Sequence, residues 1–313
     1  MKAKEILGIL SVDKITSIII LDYDTDYFPN VIHQIRKTID WQIKKYHSPE
    51  TAALLRGLLL ADRGEIKYQT KAQFINAGVV HVLAVSGLHV GYIILIFLFL
   101  FGRFNIYLRS ILTITGLIFF MVLTGVPASV FRATVMSIVL IIAFLSNRST
   151  NLINSISIAA LIILVINPNE IYNPGFQLSF AAVLAIGILL PYMNQIIEKW
   201  NVRNKFLKYL LLFCAVSLSA QIGTLPFTLL YFNKFSIIAL LANFLVIPSI
   251  GFIIAAAIVT LFFSSIIPFI AVYFAAANDL FTRLVLYIIK FSGDLSYSYI
   301  GITNYSLVDL IIF

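Results

Sequence analysis

Residues His81 to Gly91 read His-Val-Leu-Ala-Val-Ser-Gly-Leu-His-Val-Gly and run directly into an apolar stretch, Tyr92–Phe101. Two imidazoles, a hydroxyl and two glycines at the mouth of an apolar helix are the densest chemical potential in the chain. Ser86 and His89 stand three apart, so on a helix they are neighbours. A serine beside a histidine can be a nucleophile with its base. No acid stands nearby to orient that base, and no oxyanion-hole signal accompanies it, so a hydrolase remains the weaker reading. A metal site needs further ligands, and two histidines eight apart share a helix face poorly. Gly87 and Gly91 form a small-xxx-small pair that lets helices approach closely. The polar groups then either hydrogen-bond within that packing or line a water-accessible path; both readings stand. Polar and ionisable groups inside lipid are costly, which makes their presence a functional signal.

Further polar residues recur inside apolar runs. Arg132 sits early in one, and either snorkels, pairs with a neighbour or meets passing phosphates. Gln177 and Ser179 lie in Gly-Phe-Gln-Leu-Ser-Phe. Gln221 follows Ser217 and Ser219 and precedes Thr224 and Pro226, and Asn243 lies in Leu-Ala-Asn-Phe-Leu. Interhelical hydrogen bonding explains any one of them; their number points to a polar interior. Asp62 and Arg63 precede Gly64 and make either a helix terminus with a salt bridge or a surface that admits a polyanion.

The elements that must position these residues are those of a membrane protein. The 313 residues are 60% hydrophobic and 12% charged, with a net charge of +8, whereas soluble domains are about a quarter charged. Apolar spans are expected near 83–101, 111–125, 130–146, 152–166, 176–194, 209–232, 236–263 and 265–290, with a kink or re-entrant break at Pro248 and Gly251. The fold class is therefore an all-α polytopic integral membrane protein with about eight transmembrane helices, 81–313. Ahead of it stand amphipathic helices over 28–80 and a short β-rich segment at 1–27. Ile32, Ile35, Ile39 and Ile43 give the first helix its spacing, and it lies either in the membrane interface or against a neighbour. Ser48-Pro49-Glu50 starts a second helix, and a third covers about 70–77. Loops 102–110, 147–151 and 195–208 hold seven basic residues. The positive-inside rule places them in the cytoplasm, and residues 1–80 then lie outside. The single cysteine, Cys214, excludes an internal disulfide and a thiolate cluster. No cofactor and no metal site is expected, and no phosphate-cradling loop or ATPase signature is present.

Several stretches resemble the ComEC family of competence proteins. They are Leu54–Glu65 (Leu-Leu-Arg-Gly-Leu-Leu-Leu-Ala-Asp-Arg-Gly-Glu), Phe74 with Ala77-Gly78, His81–Gly91, Thr124-Gly125, Arg132-Ala133, Asn167-Pro168, Phe176–Phe180, Gln221 with Pro226, and Asn243 with Pro248. The resemblance implies a channel in the bacterial cytoplasmic membrane that passes single-stranded DNA during natural transformation. It also implies membrane lipids as surroundings, and a DNA receptor, a cytoplasmic motor and a separate nuclease as partners. His81, Ser86, Gly87, His89, Gly91, Arg132, Gln177, Ser179, Gln221 and Asn243 become candidates for the conducting path, and Asp62 and Arg63 for the surface where DNA arrives; none is assigned a catalytic role. Family members also carry an OB-like outer domain, of which residues 1–27 would be only the end, and often a metallo-β-lactamase-like domain that the sequence lacks. A transporter of another small or lipid substrate on the same scaffold, or an inactive truncated paralogue, remains the alternative.

Overall fold

The computed structural model describes residues 27–146, 152–232, 234–236, 238–295 and 299–301. The expected β-rich segment at 1–27 lies outside the described residues except for Tyr27, which is helical. Twelve α-helices are described. The first four are α1 (Tyr27–Tyr46), α2 (Pro49–Leu60), α3 (Tyr68–Asn76) and α4 (Val80–Leu83). Next come α5 (Gly87–Leu100), α6 (Ile106–Leu123), α7 (Ala128–Leu145) and α8 (Leu152–Ile166). A 3-10 turn, Pro168–Tyr172, leads into α9 (Pro174–Lys199) and α10 (Lys205–Phe232), and α11 (Ala239–Ile266) and α12 (Pro268–Gly293) complete the set. Among the described residues the only strands are β1 (Lys234–Ser236) and β2 (Tyr299–Gly301), an antiparallel pair with Phe235 opposite Ile300.

All eight expected spans are helices, α5 to α12. Six of them, α6, α7 and α9 to α12, are long and apolar enough to cross a bilayer; α5 and α8 are shorter apolar helices of 14 and 15 residues. The chain is a multi-pass membrane protein. Of the kink or re-entrant break expected at Pro248 and Gly251, the re-entrant break is not found, because α11 continues through both residues. Gly251 serves packing instead. A Cβ there would come within 2.9 Å of the Tyr92 ring, and its absence lets the Tyr92 phenol donate to the Ile247 carbonyl of α11.

The principal core gathers α1 to α4 onto α11 and α12. Nine of the twelve residues of α2 are buried, among them Leu54, Leu55, Leu58 and Leu59, and they meet Ile250, Ile253, Ile254 and Ala257. A proline in the first turn and an acid after it suit the start of this helix; leucine all round suits its burial. Ile35 and Ile39 of α1 pack against the same core and Ile43 is fully buried in it, so the apolar stripe of α1 serves a neighbour. Arg36, on the other flank of α1, donates to two orphan helix-end carbonyls, Leu60 at 2.9 Å and Leu123. It thus ties the ends of α2 and α6 together. A second core joins α5, α6 and the start of α7 through Val90, Ile93, Leu117, Phe120 and Val130. A third joins α8 and α9 through Ile156, Ile163, Phe176 and Phe180.

The order of α10 and α11 is not that of a simple hairpin. Phe213, near the start of α10, meets Phe244, near the start of α11, edge to face with centroids 5.7 Å apart. Phe213 stands roughly 28 Å from the end of α10, at about 1.5 Å per residue. The start of α11 therefore lies against the first half of α10, and β1, in the connection between the two helices, pairs with β2.

Candidate functional site at the start of the α5 helix

Ser86 occupies the N-cap of α5 in extended conformation, and His89 is the third residue of the helix. The Ser86 backbone N–H donates to His89 Nδ1 at 3.2 Å, and Ser86 Oγ lies 3.3 Å from the same nitrogen. A histidine here does what a glutamate does in a capping box. Since Nδ1 accepts, the ring proton sits on Nε2, which is buried and has no protein partner. His89 is fully buried. Among the described residues no carboxylate hydrogen-bonds it, so the third member of a hydrolytic triad has no counterpart in this geometry.

Around this cap the chain gathers two other signature segments, through Ala133 and Arg63. Gly87 faces α7, where an added Cβ would stand 3.5 Å from that of Ala133; at Gly91 nothing lies within 4 Å, so only one of the two glycines mediates close approach. Ser129 Oγ, in the first turn of α7, donates to the Val85 carbonyl and pins the segment that leads into α5. His81, exposed on α4, and Arg63, exposed after α2, are both within electrostatic reach of His89. Asp62 does not pair with Arg63. Its carboxylate bonds Arg56 and accepts the Gly64 N–H at 3.0 Å. Arg56 is a hub that also binds Asp40 and Glu65. Hydrogen bonds from Arg56 and then Lys44 hold the Glu65 carboxyl below its ordinary value. Arg63 is thereby left as the unpaired cation of this turn among the described residues.

Arg132 is 4% exposed and its Nη1 lies 3.2 Å from Glu170. Asn173 also donates to Glu170, at 3.3 Å. A Cβ at Gly175 would stand 2.8 Å from Arg132 Nη2, so a larger residue there would push the guanidinium aside. Of the readings open for Arg132, the structural pair is realised: it joins α7 to the turn before α9. Gln177 is held at both ends of its amide, donating to the Ile171 carbonyl at 2.9 Å and accepting from the Tyr231 hydroxyl. That bond ties the start of α9 to the end of α10. Ser179 on α9 and Gln221 on α10 are half-buried. Asn243 is half-buried on α11, with a buried Oδ1 that has no protein partner. Ser219 and Thr224 donate to carbonyls of their own helix, Ala215 at 2.7 Å and Ala220 at 2.9 Å. The cap region thus unites Arg63, His81, Ser86, Gly87 and His89.

One polar group escaped the sequence reading. Ser48, in the turn between α1 and α2, donates its N–H to Asp279 of α12 at 2.9 Å, and His47 stands in the field of the same carboxylate. Asn278 donates to the Ile253 carbonyl at 3.3 Å, and Thr282 is fully buried. The signal was an acid within the apolar run 268–293, which marks a buried partner by default.

A family profile described as "Competence protein" matches residues 58–313. ComE operon protein 3 of Bacillus subtilis (strain 168) is 30% identical over 227 residues, covering 72% of this chain and 28% of that protein. An uncharacterized protein of Aquifex aeolicus (strain VF5) is 34% identical over 159 residues, covering 48% of this chain and 37% of its own. The chain therefore spans well under half the length of either relative. No solved structure matches it. With the profile running from α2 through the α5 cap to the end of the chain, the protein belongs to the competence protein family, of the ComEC type.

Proposed function

We propose that the chain is the membrane-embedded part of a path by which incoming single-stranded DNA crosses the bacterial cytoplasmic membrane in natural transformation. The observation that carries this reading is the family's signature folded into one cluster: Arg63, His81, Ser86 and His89 at the mouth of α5. An unpaired arginine with the exposed His81 imidazole nearby suits arriving phosphates, while buried His89 holds the start of α5. Residues 1–80 then face outward and the basic loop 195–208 faces the cytoplasm, where it favours exit of a polyanion. The protein conducts rather than hydrolyses, which agrees with a Ser86–His89 pair that works as a helix cap and lacks an orienting acid. A DNA receptor, a motor and a nuclease are supplied by other chains or domains.

The test is transformation frequency in the source organism. Deletion of the gene is expected to abolish transformation and the wild-type gene to restore it. Arg63→Ala is expected to restore it only partly while reaching normal membrane levels. Undiminished transformation in the deletion strain would sink the proposal. Uptake of a labelled metabolite that tracked the gene, with no effect of DNA, would transfer the scaffold to another substrate.

A further inference from the structure

A cavity of 410 Å³ lies between α2, the turn that follows it, α3 and α12. Its floor is apolar, with Leu54, Ile66 and Leu286, and its rim is cationic, with Lys67, Arg283 and Lys290. The two acids in its wall are already engaged: Glu50 by Lys67 at 3.2 Å, and Glu65 by Lys44 at 3.1 Å and by Arg56. Arg283 and Lys290 have no carboxylate partner among the described residues. They stand on one face of α12, about two turns apart, with Tyr287 between them and 69% exposed.

The rim borders the outer face of α12. Leu280, Leu284 and Phe291 there are 74%, 54% and 63% exposed, the pattern of a helix side turned to acyl chains. Cations beside such a face are costly unless an anion meets them. We propose that this cavity seats the headgroup of an anionic glycerophospholipid. Its phosphate bridges Arg283 and Lys290, and its acyl chains run down the exposed apolar face of α12. The amphipathic lining decides between a lipid and a nucleic acid: a DNA strand would leave the apolar floor and the neighbouring leucines without a counterpart.

The full-length chain, purified in detergent, would be equilibrated with phosphatidylglycerol or phosphatidylcholine, and retained lipid counted by native mass spectrometry. Wild-type protein is expected to retain phosphatidylglycerol in preference to phosphatidylcholine. The Arg283→Gln, Lys290→Gln variant is expected to lose that preference by roughly tenfold or more, since each surface cation contributes about a factor of five to an anionic lipid. Equal retention of the two lipids by wild-type protein overturns the proposal and needs no variant. Undiminished preference in the variant overturns it as well. Displacement of the bound phosphatidylglycerol by an oligothymidylate would make the cavity a nucleic-acid seat instead.

Discussion

At the scale of single residues, the chain separates groups that hold the fold from groups that remain free to act. Arg132 belongs to the first kind. Removing one partner of a buried pair typically costs about 3–5 kcal/mol, whereas replacing both can be close to neutral. Arg132→Met alone is therefore expected to lower the melting temperature and membrane yield. Adding Glu170→Gln is expected to recover much of the loss, and a double-mutant cycle on thermal melts would show it. Additive losses would mean that the two side chains act independently. His47 is 6% exposed in the turn outside the spanning helices, and burial holds its pKa below the ordinary 6.5, with Asp279 opposing. The sign follows. Above 6.5 the ring is neutral whether the turn is docked or not, and it contributes nothing. As pH falls below 6.5 the undocked state takes up the proton first, so docking weakens. As pH falls from about 6.5 to 5.5, protection of α1 and α2 amides, taken relative to their intrinsic exchange rates, should drop by at most about tenfold, the limit for one proton, and His47→Gln should remove the dependence. Glu65, held below its ordinary 4.5, stays ionised throughout that window. The signature histidines were legible because they are contiguous in the chain. His47 and Asp279 were not, because their partnership joins positions more than two hundred residues apart.

At the scale of elements, hydropathy and periodicity located every described helix except the four-residue α4. Residues 152–166 were read as one helix and are one; 265–290 became 268–293. Local pattern reports burial and period, and these fix helices well. It says little about which helix packs on which. The sequence showed where α2 starts, but only the structure places its leucines against α11 and α12. Arg36 shows how such placement is secured, for it satisfies carbonyls at the ends of two helices at once. Arg36→Gln is expected to destabilise the chain by about 1.5–3 kcal/mol, the range for hydrogen bonds to a charged group. Hydrogen exchange should rise at the ends of α2 and α6, with α9 and α10 unchanged. A uniform rise over all helices would show that Arg36 acts on global stability and has no local capping role.

At the scale of the whole molecule, α11 starts offset along α10, so that Phe213 meets Phe244. With Cys214 changed to serine, Phe213→Cys and Phe244→Cys should be joined by a short bis-thiol reagent. No such product is expected if α11 starts beside the end of α10. Extended backbone alongside a membrane helix must have its polar groups met by protein, and β1 and β2 meet each other's. Together they make the α11–α12 segment a ring of chain closed at its neck. For a ring of about 60 residues the closure entropy is about 3.7 kcal/mol plus a constant, and doubling the ring adds only about 0.6 kcal/mol. The helix-to-helix packing of α11 on α12 already brings the two ends together, so the neck meets only a fraction of that cost. It follows that extra residues inserted at Ile267, the far end of the ring, should be tolerated, whereas a one-residue slip at the neck would break the register that sets Phe235 opposite Ile300.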